Sequence, residues 1–343
     1  MKYLNRRADG RTLVWRIFAL VVFQLWATGG TAAADFGPLQ ATNRLPLHLL
    51  FLKPRPVPVR GPARGELEVA VAAEYSNTFF DHRNDHWDVL MDMETMVAEV
   101  TLVFSPAPKT LLRLDAPLVS MGRGFMDGFL ENYHDALGVS NYGREKRPKN
   151  EFAYRVTKDG LTWVQGETGT LQMADMAVSA QYELLKDRGD LKMSGSLMVS
   201  LKLPTGDPDR GLGSGAFDLA VFMPMRWSAD PWTFFLMPGA AFIGDPQTRG
   251  ADVSARNTVA LFGGVAYDYS PRTTWLIQLD YYTSPIEKTN LNALDQGALE
   301  LDIGLHHRLA GNYVLELVFG EDLTRALPDF NLRLGLRWTW RST

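Results

Sequence analysis

The chain has 343 residues, no cysteine, 46% hydrophobic and 22% charged residues, and a formal net charge of −4. Its mean hydropathy is −0.12, and beyond the N-terminus no run approaches the roughly 18 apolar residues of a membrane-crossing helix. These values exclude a bundle of spanning helices, and the acidic balance argues against a nucleic-acid partner.

Lys2, Arg6, Arg7, Arg11 and Arg16 form a basic region before the apolar run Ile17 to Ala27. Ala32-Ala33-Ala34 follows and precedes Asp35. This order reads as a secretory signal peptide over residues 1–34, cut after Ala34. Arg6-Arg7 resembles a twin-arginine signal, but Ala8-Asp9-Gly10 lacks the apolar residue expected there. Setting the segment aside leaves 30 basic against 38 acidic residues. Residues 35–65 carry Pro46, Pro54, Pro56, Pro58 and Pro62, which exclude a regular helix or central strand. They read as an extended, Pro-rich lead-in on the periplasmic side.

From residue 66 the pattern is strand after strand. Leu67, Val69, Val71, Ala73 and Tyr75 alternate with Glu68, Ala70, Ala72, Glu74 and Ser76. Similar alternation marks segments near 98–104, 112–116 and 176–184, then 191–203, 216–227, 232–243, 257–269, 274–283, 298–309 and 313–321. In the last strand, 329–340, Phe330, Leu332, Leu334, Leu336, Trp338 and Trp340 share a face against Asn331, Arg333, Gly335, Arg337 and Thr339. A helix would scatter those arginines around its circumference.

The connections alternate long and short: 80–88, Ser105–Lys109, 118–172, Lys186–Asp190, 204–215, Ser228–Pro231, 244–256, Ser270–Thr273, 284–297, Ala310–Asn312 and 322–328. Outer-membrane barrels keep that rhythm, with short periplasmic turns and longer external loops. Phe104, Tyr182, Trp227, Trp232, Tyr267, Tyr269, Trp275, Tyr313 and Trp340 sit beside short turns or the C-terminus, as one interfacial girdle. The pattern therefore predicts an all-β, transmembrane antiparallel barrel over 66–343 with twelve strands. Fourteen result if the hairpin Phe152–Val156 with Leu161–Gln165 joins the wall, but its short arms place it above the membrane. The localisation that follows is the cell outer membrane, with outer-membrane lipids around the wall.

The lumen face then holds Glu68, Glu74, Glu99, Arg113, Asp115, Glu183, Lys192, Lys202, Asp218, Arg226, Asp280, Glu300, Asp302, Arg308, Glu316, Arg333 and Arg337. Most such groups form a hydrated, mutually paired interior; a selectivity lining is the sharper reading. In the long connection 118–172, Phe125, Phe129 and Tyr133, with Met126, Leu130 and Leu137, share one helical face opposite Asp127, Glu131 and Asp135. Gly138 would end that helix. A loop of this length that plugs or caps the lumen would narrow it.

His134 with Asp127, Glu131 and Arg144 could form an acid–base group, although a histidine holding a plug is the commoner use. Asp81, His82, Asp85 and His86 could bind a divalent cation, against the commoner solvated loop tip. His306-His307 straddles two faces. Leu203-Pro204-Thr205-Gly206-Asp207 lacks the end of a phosphate loop. No cofactor motif is present.

Gly37-Pro38-Leu39, Asn43-Arg44, Pro46-Leu47, Tyr75-Ser76-Asn77-Thr78-Phe79, Gly124-Phe125-Met126-Asp127, Tyr133-His134, Gly138 and Arg144 resemble the bacterial domain-of-unknown-function family 3187. Lys202 to Asp207 and Asp329-Phe330 fit it too. The resemblance implies an outer-membrane barrel without an assigned activity, and none of its matches is a catalytic signature. The tail Arg341-Ser342-Thr343 departs from outer-membrane barrels generally, whose last aromatic residue is read by the insertion machinery. The favoured function is a passive channel or uptake pore for a small solute, narrowed by residues 118–150. The alternatives are an outer-membrane hydrolase acting on lipid or lipopolysaccharide, for which no compact nucleophile–base set is visible, and a structural or assembly barrel.

Overall fold

A computed structural model describes residues 36–53, 55–138, 143–188, 192–309 and 311–340; the segment read as a signal peptide lies outside them. Sixteen strands form one antiparallel sheet: β1 (Leu67–Arg83), β2 (Trp87–Ala107), β3 (Thr110–Gly122), β4 (Ala153–Lys158), β5 (Leu161–Gln165), β6 (Gln172–Met173), β7 (Met176–Arg188), β8 (Met193–Leu203), β9 (Asp218–Phe222), β10 (Met225–Ala229), β11 (Trp232–Phe242), β12 (Thr258–Ser270), β13 (Thr273–Tyr282), β14 (Ala298–Arg308), β15 (Tyr313–Asp322) and β16 (Phe330–Trp340). β1 pairs with both β2 and β16, so the sheet closes. Counting the collinear β9 and β10 as one, the wall has twelve strands. The segment expected as one strand over 216–227 is interrupted there because Pro224 has no N–H to give the ladder.

The outward face is the apolar one. Val71, Leu112, Phe234, Leu261, Leu279, Leu332 and Leu334 are exposed, Leu334 by 52%. An uninterrupted ring of such side chains suits hydrocarbon and would aggregate in water. Phe104, Tyr182, Tyr269, Trp275, Tyr313 and Trp340 are exposed near the short turns, while Tyr267 is covered by Trp232, their rings 4.7 Å apart. A second aromatic set, Phe217, Phe242 and Tyr281, stands exposed toward the loop end.

β1 and β2 outrun the other strands, and above residue 77 their faces exchange character. Phe80, Val89, Met91 and Met93 point inward and are buried, whereas Asp81, Asp92 and Glu94 point outward. The hairpin β4–β5 pairs with this extension of β2, adding no strand to the closed ring. Tyr154, Val156, Trp163 and Val164 join Val89, Met91, Leu212, Val253, Ile286 and Leu294 in one apolar cluster that closes the loop end.

The helix expected in the long connection forms over Asp127–Leu137 (α1) and ends at Gly138 with φ of 70°. It does not enter the lumen. Glu94, on the outer face of β2, accepts hydrogen bonds from the Phe125 and Met126 N–H groups at 2.7 and 2.6 Å. Arg147 pairs with the outward Asp92 at 3.1 Å, and the Tyr133 hydroxyl lies 3.5 Å from Glu321 on β15. Residues 123–138 and 143–150 thus lie across the outside of β2, β1, β16 and β15. The expectation that 118–150 narrows the lumen is corrected on this point: the outer rim of these strands is polar, and the loop supplies its partners.

Two outcomes follow. Gly124 has φ of 72°, and a Cβ there would stand 1.9 Å from the Glu94 carboxyl carbon. Gly124→Ala is therefore expected to release the loop from the wall without opening the barrel. Trypsin should then cut faster at Lys146 and Lys149 while the folded β-sheet signal stays constant. The second outcome concerns the turn between β1 and β2, where the Asp159 carboxylate sits 2.7 Å from His86 Nδ1 and raises the histidine pKa above 6.5. A raised value means the contact is fully formed below pH 6.5 and is lost as pH rises through the folded-state pKa. Asp159→Asn should return the His86 titration, followed by NMR, to its ordinary range.

Candidate functional site: a lumen filled by residues 36–60

The segment read as a lead-in beneath the barrel runs inside it, which corrects that expectation. It enters at the short-turn end, rises to a 3-10 turn at Pro46–Leu50, and descends again, contributing no strand to the sheet. Its prolines deprive it of ladder donors, so wall side chains satisfy its backbone instead.

On the rising limb, Gln278 accepts from the Leu39 N–H at 3.1 Å and donates to its carbonyl at 3.2 Å. Glu316 accepts from the Gln40 N–H at 3.1 Å, and also from Arg333 Nε at 2.8 Å. Arg44 Nε donates to Glu74 at 2.7 Å, and Arg333 approaches the same carboxylate at 3.2 Å. Asn43, His48 and Tyr282 form a buried polar group beside the turn, with Asn43 3.1 Å and Tyr282 3.0 Å from His48 Nδ1.

On the falling limb, Asp218 accepts from the Leu52 N–H at 2.8 Å. Arg55 clamps Glu99 through both terminal nitrogens and reaches Asp115 at 3.1 Å. Gln181 donates to the carbonyls of Pro58 and Val59 at 3.0 and 2.9 Å. Arg60 meets Glu183 at 3.3 Å and Asp187 at 2.8 Å. At the top, Leu45, Leu47, Leu50 and Phe51 are buried in the apolar cluster of the loop end.

Spaces remain beside the segment. One of about 380 Å³ opens at the short-turn end between Phe36, Arg60, Glu68, Arg113, Arg308 and Arg337. Another, about 100 Å³, lies deeper among Arg55, Glu99, Asp175 and Lys202.

Of the residues singled out from sequence, Arg113, Asp115, Glu300, Asp302 and Arg333 line the lumen. Arg113 pairs with Asp115 at 2.8 Å. Asn331 donates to Glu300 at 3.3 Å, and Gln278 to Asp302 at 3.2 Å. Arg308 lies over the Phe36 ring at 5.2 Å, and Arg337 donates to the Phe36 carbonyl. Asp127, Glu131 and Arg144 are elsewhere, on the outer wall. Arg144 joins Asp127 at 2.6 Å to Asp329, while Glu131 pairs with Lys149. The His134 side chain, on which the expected acid–base group depends, lies outside the described residues. His82 packs on the Phe80 ring and His86 binds Asp159, so the cation site imagined with Asp81 and Asp85 is not assembled. Among the described residues no group of three or more His, Asp or Glu side chains is placed to hold a metal ion.

Sequence reasoning missed Arg44, Arg55 and Arg60 as partners of the wall. The signal was present, because residues 36–65 carry five basic residues and no acid.

Among solved structures the chain is similar to the COG4313 outer membrane channel from Pseudomonas putida F1. The TM-score is 0.58 at 15% identity, over 84% of this chain and 100% of that one. The NanC porin (TM-score 0.44, 8% identity, 79% and 98% covered) and the KdgM porin (0.42, 10%, 80% and 99%) share only a loose likeness. The first similarity speaks for the barrel fold alone. No curated protein matches the chain. The match that runs nearly its full length, residues 14–340, is to a family model, and the chain belongs to that family, described as Protein of unknown function (DUF3187).

Proposed function

We propose that this protein is an outer-membrane channel for a small solute, closed at rest by its own residues 36–60. The observation that carries this reading is how the segment is held. Among the described residues, 36–60 are joined to the wall through side chains and give no strand to the ladder. Such a segment can be withdrawn without breaking the barrel. With short turns on the periplasmic side, both ends of the segment and the 380 Å³ space face the periplasm.

Narrowing of the outer mouth belongs, in this reading, to the second half of the long connection. The β4–β5 hairpin contributes Tyr154, Val156, Trp163 and Val164 to the apolar closure. The pairs with acid–base character are engaged in holding chain: His306 with Glu316, which also binds Gln40, and Asp127 with Arg144. That engagement favours transport over catalysis. The aromatic end of β16 is the element offered to the insertion machinery.

Planar-bilayer recordings test the proposal. The intact protein is expected to stay closed, and replacing residues 36–60 by a short Gly/Ser linker should give a persistent conductance. Removing 123–138, which lies outside the wall, should leave the closed state unchanged. A linker variant that folds yet stays silent would overturn the reading.

A graded version uses Arg55→Ala. Taking one partner from a buried ion pair costs about 3–5 kcal/mol, and Arg55 serves both Glu99 and Asp115. This variant should open more often than the parent in the same recordings, with the barrel's resistance to heat in detergent preserved.

A further inference from the structure

The start of α1 exposes aromatic side chains. Phe125, two residues before the helix, is 74% exposed and Phe129 57%, although the next residue, Leu130, is fully buried. On a loop projecting into water, two such phenylalanines would have no reason to face outward. Their neighbours explain them. The Phe125 ring lies 5.9 Å from that of Tyr75, which is on the lipid-facing side of β1 one step below Asn77. Phe129 stacks on Tyr133 at 6.2 Å, and Tyr133 reaches β15, so the aromatic row continues across the wall. Elsewhere around the rim Phe217, Phe242 and Tyr281 stand exposed toward the same end. On the β1, β2, β15 and β16 side, α1 supplies the corresponding aromatics.

Charge on the same element is placed to match. Arg123 precedes the two phenylalanines and is exposed; Lys146 and Lys149 follow in the strap that pins the helix to the wall, exposed as well. Of the acids of this region, Asp127 is turned to Arg144, Glu94 to backbone N–H groups and Asp92 to Arg147, while Asp135, Glu145 and Glu151 are exposed.

We infer that α1 and the strap 144–149 form an amphipathic element seated in the outer leaflet of the membrane. Phe125 and Phe129 enter the boundary between headgroups and acyl chains, and Arg123 and Lys146 meet lipid phosphates. The occupant is the bilayer because the apolar side of α1 is continuous with the lipid-facing wall beneath it. An apolar helical face of this kind lies a few ångströms into the interface, with basic residues at its polar margin. The inference stands apart from the channel reading, since it concerns the outside of the wall.

The absence of cysteine makes the test clean. A nitroxide attached to Phe129→Cys, in full-length protein reconstituted into phosphatidylcholine vesicles containing lipopolysaccharide, is expected to be relaxed by oxygen more than by a water-soluble nickel chelate. A nitroxide at Lys146→Cys should show the reverse order, and one at Leu334→Cys should mark the hydrocarbon. Equal accessibility at 129 and 146, in variants that keep their heat-modifiable migration, would overturn the seating. For the headgroup contact, Arg123→Ala and Lys146→Ala should each reduce lipopolysaccharide retained through purification, by about fivefold per charge. Unchanged retention, with seating intact, would overturn the phosphate assignment.

Discussion

Charges inside a closed wall have nowhere to be solvated except by each other, by trapped water, or by something placed among them. That constraint governs this barrel. Its outer face must be apolar, so strand alternation turns Glu74, Glu99, Asp115, Glu183, Asp218 and Glu316 inward. A buried carboxylate without a partner costs several kcal/mol. Arg44, Arg55 and Arg60 of the inner segment supply the missing partners, each set against an acid of the wall. The wall and its filling are therefore complementary in charge, although Asp115, Asp218 and Glu316 also pair within the wall, with Arg113, Lys202 and Arg333.

The same rule, applied above the membrane, gives the opposite polarity. Where β1 and β2 pass beyond the lipid, water lies outside and a packed cluster lies within. There the apolar side chains Phe80, Val89, Met91 and Met93 face inward, and Asp81 and Asp92 face outward. Glu94 and Asn77 fall at the crossover, where neither hydrocarbon nor open water suits them. Residues 123–138 and 143–150 settle there, satisfying Glu94 with two backbone N–H groups and placing Arg144 over the Phe79 ring at 5.3 Å.

This inversion also explains what the sequence could and could not reveal. Strands such as β14 and β16 keep one polarity throughout, so period-two alternation marks them plainly. β1 and β2 change phase near residue 77, and the periodic signal stops there although the strands do not. Prolines hid the inner segment, since they exclude regular structure without saying where an irregular chain lies. Its charge was the readable clue: Arg44, Lys53, Arg55, Arg60 and Arg64 occur with no acid, opposite a wall richer in acids. Helical spacing located α1 but not the surface against which it lies. A helix with apolar residues on one side must bury that side in something other than water, and the spacing alone does not distinguish lumen, protein or lipid.

The two closures of the lumen are not independent. Leu45, Leu47, Leu50 and Phe51 at the tip of the inner segment belong to the apolar cluster that seals the loop end. Below them, polar ties from Arg44 to Arg60 hold the limbs. Drawing the segment toward the short turns would therefore remove four apolar side chains from the mouth while breaking the ion pairs beneath. The remaining hairpin residues, Tyr154, Val156 and Trp163, would then border an uncovered opening. One displacement would thus act at both ends of the lumen, because the chain that neutralises the wall also completes the cap.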